Sequence, residues 1–116
     1  MILTVAEDGW KAVRRAVFAR DGGCVATNRQ FSTDWVGEDD PCRDGFGNEL
    51  RYGDWNHLEF DHVREKLGGK RLDDEAHGIG VCPWHHRLST YWRSDTSYHR
   101  AAAREWLRKH YPEVWT

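Results

Sequence analysis

The chain has 116 residues, the length of one domain over 1–116, with seven Trp and seven His against a single Met. Its apolar fraction of 39% is low for a globular chain but too high for a disordered one, and a formal net charge of −2 excludes the strongly basic composition that by itself announces a nucleic-acid partner. No apolar run approaches the roughly 18 residues of a membrane helix, and the opening "MILTVAEDGW" lacks a basic n-region and a long apolar h-region, so a cytoplasmic protein with no membrane association is expected.

From the N-terminus, "WKAVRRAVFAR" (10–20) puts Trp10, Val13 and Val17 at helical spacing, with Lys11, Arg14 and Arg15 elsewhere. This predicts an amphipathic helix, stopped by "DGG". Cys24 then opens the short run "CVAT". Residues 27–56 carry Asp34, Glu38, Asp39, Asp40 and Asp44 among Gly37, Pro41, Gly45 and Gly47, and read as a long loop. A loop of that length in a compact domain needs an anchor, and Cys42 stands in its middle.

"HLEFDHV" (57–63) reads as a strand, 64–78 as an excursion with Gly68, Gly69 and an acidic turn at Asp73 to Glu75, and "GIGVC" (78–82) as a second strand. Pro83 suits the first turn of a helix, so "PWHHRLSTYW" is expected to begin one. "RSDTS" breaks it and offers the N-cap candidates Ser94, Asp95, Thr96 and Ser97. "YHRAAAREWLRKHY" is a second helix, with Tyr98, Ala102, Trp106 and His110 at i+4 steps until Pro112 ends it. The fold class expected is α+β.

Three cysteines are an odd count for a closed disulfide framework. Cys82 and His85 in "CPWHH" stand at the C-x-x-H spacing of a zinc half-site, and Cys24 and Cys42 would complete a tetrahedral Cys₃His structural site. The alternative is three unrelated buried thiols. Asp61 and His62 close a strand, where neighbours point to opposite faces, so they serve one site only where the strand twists, bulges or ends. His86 lies about 100° round a helix from His85 and is free to face that strand end. Asp61 with His86 gives two ligands for a catalytic divalent ion with open positions, and a neutral His62 beside them can take a proton from water. The basic residues Arg87, Arg93, Arg100, Arg104, Arg108 and Lys109 make the C-terminal part a solvated helix face or a phosphate-facing surface.

With "RDGGCVA" (20–26), "PCRDG" (41–45), "LEFDHV" (58–63), "HGIGVCPWHH" (77–86) and the tail "SYHRAAAREWLRKHYPEVW" (97–115), the chain resembles the small phage-type HNH endonucleases. The resemblance implies a ββα-metal motif with a zinc-stapled long loop and flanking N- and C-terminal helices. It implies a metal-dependent DNA endonuclease, with His62 as general base, Asp61 and His86 on a divalent ion such as Mg²⁺ or Mn²⁺, and products bearing a 5′ phosphate and a 3′ hydroxyl. His77 stands where the family usually has an Asn, and would brace the loop through hydrogen bonds or join the metal. Arg87 would hold a neighbouring phosphate or be a solvated helix residue. Cys24 lacks the family's usual Cys-x-x-Cys partner, since Thr27 stands there, and His85 replaces the fourth cysteine. DNA is the partner implied, with phage packaging proteins as further partners, a monomer as the expected state and a host cytosol as the setting. A different class of reading keeps the zinc and the basic helix without catalysis, as a zinc-stabilised nucleic-acid-binding module.

Overall fold

Helix α1 spans Trp10–Asp21, and its two valines one turn apart, Val13 and Val17, are fully buried. The helix ends because Gly22 takes the left-handed conformation at φ 69° and returns its N–H to the Phe18 carbonyl at 3.0 Å. Trp10 is 36% exposed at the helix start, and its ring meets the Phe60 ring edge-on at 4.8 Å. This computed structural model describes residues 2–5, 9–28, 30–31, 40–50, 57–66, 68–90, 92–94 and 96–116.

Strands β1 (Glu59–His62) and β2 (Gly78–Val81) pair antiparallel, with Asp61 opposite Ile79 and His62 opposite Gly78. The two glycines of β2 have a steric cause. A Cβ on Gly78 would stand 1.9 Å from the Phe60 ring, and one on Gly80 2.9 Å from the Phe18 ring. Helix α2 spans Ser97–His110, capped by Thr96, whose hydroxyl accepts from the His99 N–H at 3.4 Å. Two helices and a two-stranded antiparallel sheet thus make an α+β fold among the described residues. None of the helices found there is long and apolar enough to cross a membrane.

The elements are joined by a buried carboxylate. Asp21, at the end of α1, accepts from the Gly80 N–H of β2 at 2.8 Å and from the Trp106 indole N–H of α2 at 2.9 Å. Arg20 pairs with it at 2.7 Å and also donates to the Glu75 and Gly78 carbonyls, at 2.8 and 2.6 Å. Burial disfavours the Arg20 charge, but Asp21 and Tyr111 outweigh that and raise its pKa.

Two sequence expectations are corrected. The helix expected from Pro83 is one widened turn, Trp84–Leu88, closed by Ser89 N–H to Trp84 C=O at 2.8 Å, an i to i+5 bond. It stops because Ser89 is extended and its hydroxyl donates to the buried Asp40 carboxylate while accepting from the Trp92 N–H at 2.9 Å. On α2 the buried face is His99, Ala103, Trp106 and Leu107; Tyr98 is 52% exposed and His110 lies at the surface. The buried i+4 row is His99, Ala103, Leu107 and Tyr111, one position on from the row starting at Tyr98, of which only Trp106 is buried, where it donates to Asp21.

The described part of the long loop is ordered. Arg43 bridges to Glu49, Leu50 N–H donates to the Cys42 carbonyl at 2.8 Å, and the Asp44 carboxylate accepts from the N–H groups of Phe46 and Asn48 at 2.8 and 2.9 Å. Asp34, Gly37, Glu38, Asp39 and the N-cap candidate Asp95 lie outside the described residues.

Asp21→Ala is expected to lower unfolding free energy by about 3–5 kcal/mol, because it strands a buried guanidinium and two buried N–H donors. Chemical denaturation followed by Trp fluorescence measures this. Asp21→Asn, which keeps one acceptor, should lose less.

Candidate metal centre and adjoining cleft

Four polypeptide stretches converge on one point: Cys24 after α1, Cys42 in the loop, Cys82 at the exit of β2 and His85 on the widened turn. Their ligand atoms all lie within 4.8 Å of one another, and Cys24, Cys82 and His85 are buried. The His85 Nδ1 atom is 3.6, 3.7 and 3.2 Å from the sulfurs of Cys24, Cys42 and Cys82. A tetrahedral ion bound at about 2.3 Å to sulfur and 2.0–2.1 Å to nitrogen sets its ligands about 3.5–3.8 Å apart. The spacing and the donor set fit, so these four residues could hold a metal ion such as zinc.

The supporting contacts also fit. His85 Nε2 donates to the Asp40 carbonyl at 2.7 Å, which turns Nδ1 toward the sulfurs. Asp40 in turn accepts from the Trp84 indole N–H at 2.7 Å and ties the loop to the turn. Without a cation the thiols cannot all ionise. Hydrogen bonds from Cys24 and Cys42 hold Cys82 far below the usual thiol range. Burial first, then its thiol neighbours, pushes Cys24 well up. For Cys42 the hydrogen bond from Cys24 lowers the pKa, but the bond to Cys82 together with burial wins and takes it to about 12.

On the far side of the widened turn lies a cleft of about 650 Å³, lined among others by Asp61, His62 and His86. Asp61 is buried, with Oδ1 3.5 Å from His86 Nε2 and 3.2 Å from Arg100 Nη2. Its Oδ2 is also buried and makes no hydrogen bond among the described residues. Burial works to raise the Asp61 carboxyl, yet His86 and Arg100 outweigh it and hold the group below the usual range. His86 Nδ1 meets Glu59 Oε1 at 2.8 Å. Asp61 first and Glu59 next raise the His86 pKa against burial. His62 meets Asp73 through Nε2 at 2.5 Å and stacks on Trp10, ring centroids 6.1 Å apart and planes 11° from parallel.

The remaining sequence candidates lie elsewhere. His77 is buried beside the Trp115 ring with both nitrogens taken, Nδ1 by Asp74 at 2.6 Å and Nε2 by Glu65 at 2.8 Å. Burial lowers its pKa, but the two carboxylates outweigh burial and raise it. Arg87 is turned to Glu59 Oε2 at 2.8 Å and does not line the cleft. Asp40, Glu59 and Asp73 carry contacts that the sequence reading did not assign. Glu59 had a signal, since it lies two residues from Asp61 and shares its strand face; Asp40 and Asp73 had none beyond their charge. No family model matches this chain, and neither does any curated protein or solved structure.

Zinc uptake should expel about two to three protons per ion near neutral pH, since Cys24 and Cys42 must deprotonate and His85 must free Nδ1. Burial lowers the His85 pKa, but Cys82 and Asp40 outweigh burial and raise it. Calorimetry in two buffers of different ionisation enthalpy reads that number. Cys42→Ser should lower the zinc content below one per chain and bring the melting transition down with it, measured by atomic absorption and thermal unfolding.

Proposed function

We propose that the chain is a metal-dependent DNA endonuclease of the HNH type, hydrolysing phosphodiester bonds. The observation that carries this reading is the convergence of Asp61, His62 and His86 on one cleft whose other walls are cationic. Among the described residues, Arg64, Lys66, Arg71, Arg100 and Arg104 line it, against the single acid Asp61. In a chain of net charge −2 that is a local concentration of positive charge suited to a polyanion. The order of an antiparallel strand pair followed by the turn that carries His86 also accords with a ββα-metal motif.

Asp61 and His86 would hold the divalent ion. Their 3.5 Å separation is within the span of two ligands of one ion. Glu59 on Nδ1 leaves Nε2 as the ligating nitrogen of His86. When bound, an ion such as Mg²⁺ or Mn²⁺ supplies charge that offsets the negative charge building on the phosphate and the leaving oxygen. His62 takes a proton from water as the water oxygen attacks phosphorus. The P–O3′ bond breaks, and the leaving oxygen takes a proton from solvent. The Cys₃His cluster, with four protein ligands and no open position, is the structural zinc of this reading. His77 braces the excursion between the strands through Glu65 and Asp74.

A second reading, a zinc-stabilised nucleic-acid-binding module without catalysis, draws on Arg100, which already supplies Asp61 with a cation at 3.2 Å. Nicking of supercoiled plasmid separates the two. The nuclease reading expects nicking with Mg²⁺ or Mn²⁺ and none with EDTA; plasmid binding with no nicking under any divalent ion would establish the module instead. His62→Ala should lose about 10²–10⁴-fold in rate, with zinc content unchanged. His77→Asn should stay within about tenfold and need no more Mn²⁺ than the parent. Because His86 keeps its proton to a higher pH than an ordinary imidazole, the Mn²⁺ concentration for half-maximal nicking should rise as pH falls through that range.

A further inference from the structure

We infer that Asp73 is the residue that positions His62 for proton transfer, holding the ring through Nε2 so that Nδ1 is the nitrogen that meets the water. The inference rests on the proposed role of His62 as the base. The His62 Nε2 to Asp73 Oδ1 distance is 2.5 Å, and Nδ1 makes no hydrogen bond among the described residues. An ionised carboxylate only accepts, and a neutral imidazole has one donor and one acceptor. In the neutral ring this contact puts the proton on Nε2 and the lone pair on Nδ1, so one contact sets both tautomer and orientation.

Two aromatic rings close the remaining freedom. Trp10 lies nearly parallel to the imidazole, and the Phe60 ring meets it edge-on at 4.8 Å and 67°. The His62 side chain is left 13% exposed. The Asp73 carboxylate is more open, at 59%, but its backbone is held. Val5 N–H donates to the Asp73 carbonyl at 3.3 Å, Thr4 bridges to Asp74, and Glu75 N–H donates to the Leu3 carbonyl at 2.9 Å. The segment before α1 thus holds the residue that grips one ring edge, and α1 begins with the Trp that covers one ring face. The two cleft histidines are gripped from opposite nitrogens: Glu59 takes Nδ1 of His86, and Asp73 takes Nε2 of His62. His77, with both nitrogens on carboxylates, has none left for the same part.

Asp73→Ala removes an exposed carboxylate and keeps the backbone contact to Val5, so the variant should fold. Two measurements on the full, zinc-loaded chain test the assignment. Long-range ¹H–¹⁵N spectra without Mg²⁺ or Mn²⁺, assigned by comparison with His62→Ala, should show one His62 tautomer, protonated on Nε2, in the parent and a mixture of tautomers in Asp73→Ala. Plasmid nicking with Mn²⁺ should show kcat lower by about 10²-fold, with KM for plasmid and the Mn²⁺ requirement unchanged. A His62 tautomer that does not respond to Asp73→Ala, or parental kcat in that variant, overturns the assignment. If His62→Ala is inactive while Asp73→Ala nicks like the parent, the base stands and Asp73 alone is wrong. If His62→Ala itself nicks at the parental rate, the base fails and the catalytic meaning of Asp73 falls with it.

Discussion

Three thiols and an imidazole held within 4.8 Å of each other are the constraint on which the rest of this structure depends. Each comes from a different stretch, so their meeting closes three chain segments at once: α1 to the loop, the loop to β2, and β2 to the turn that follows. Strands of four residues make a sheet too small to stand alone. The cluster supplies what they lack by tying the exit of β2 to the end of α1. Even the backbone takes part, since Cys82 N–H points at the Cys24 sulfur at 3.3 Å. Three residues upstream, Asp21 repeats the same connection through Gly80. A metal ion suits this point because only a cation lets several buried thiolates coexist.

The same turn faces two ways. His85 and His86 are consecutive, yet one is buried among sulfurs and the other looks across a cleft at Asp61. The i to i+5 closure widens the backbone there, and Asp40 and Glu59 take the ring nitrogens directed away from each cluster. A backbone carbonyl on one nitrogen of His85 and a carboxylate on one nitrogen of His86 thus decide what the other nitrogen can do. The principle extends to His62 and Asp73, and it removes His77 from the chemistry by occupying both its nitrogens. In the proposed nuclease, the stable half of the molecule and the reactive half are adjoining faces of one five-residue turn.

Charge is distributed with a similar economy. The six basic residues of the C-terminal part do not act as one stripe. Arg100 and Arg104 face the cleft, Arg87 is turned to Glu59, and Arg108 pairs with Glu105 on the helix surface. The cleft's other cations, Arg64, Lys66 and Arg71, come from the excursion between the strands, a stretch whose sequence suggested only glycines and an acidic turn. Its Asp73–Glu75 acids are taken up by His62, His77, Tyr111 and the N-terminal segment, through contacts such as Glu75 to Tyr111 at 2.8 Å and to Leu3 N–H at 2.9 Å. That leaves the cations to the open side.

Local pattern alone determined α1, both strands, the start and end of α2, and the Cys82–His85 half of the Cys₃His cluster. Each is written in short-range signals: a 3.6-residue apolar period, β-type runs bounded by glycine, a capping Thr, a Cys-x-x-His spacing. Cys24 and Cys42 were candidates from the cysteine count, and the fold brings them to that half-site. The tertiary structure decided the rest. The stretch after Pro83 has helical propensity, but a buried Ser89–Asp40 contact, formed with a residue 49 positions away, ends it after one turn. On α2 the buried row is His99, Ala103 and Leu107, and Trp106 is buried beside it because its indole N–H answers to Asp21, 85 positions distant. Asp21, Asp40 and Asp73 read as turn or loop acids because nothing in the sequence reveals what lies across from them. A carboxylate's role is set by the donors that meet it, and here those donors arrive from parts of the chain that only folding brings together.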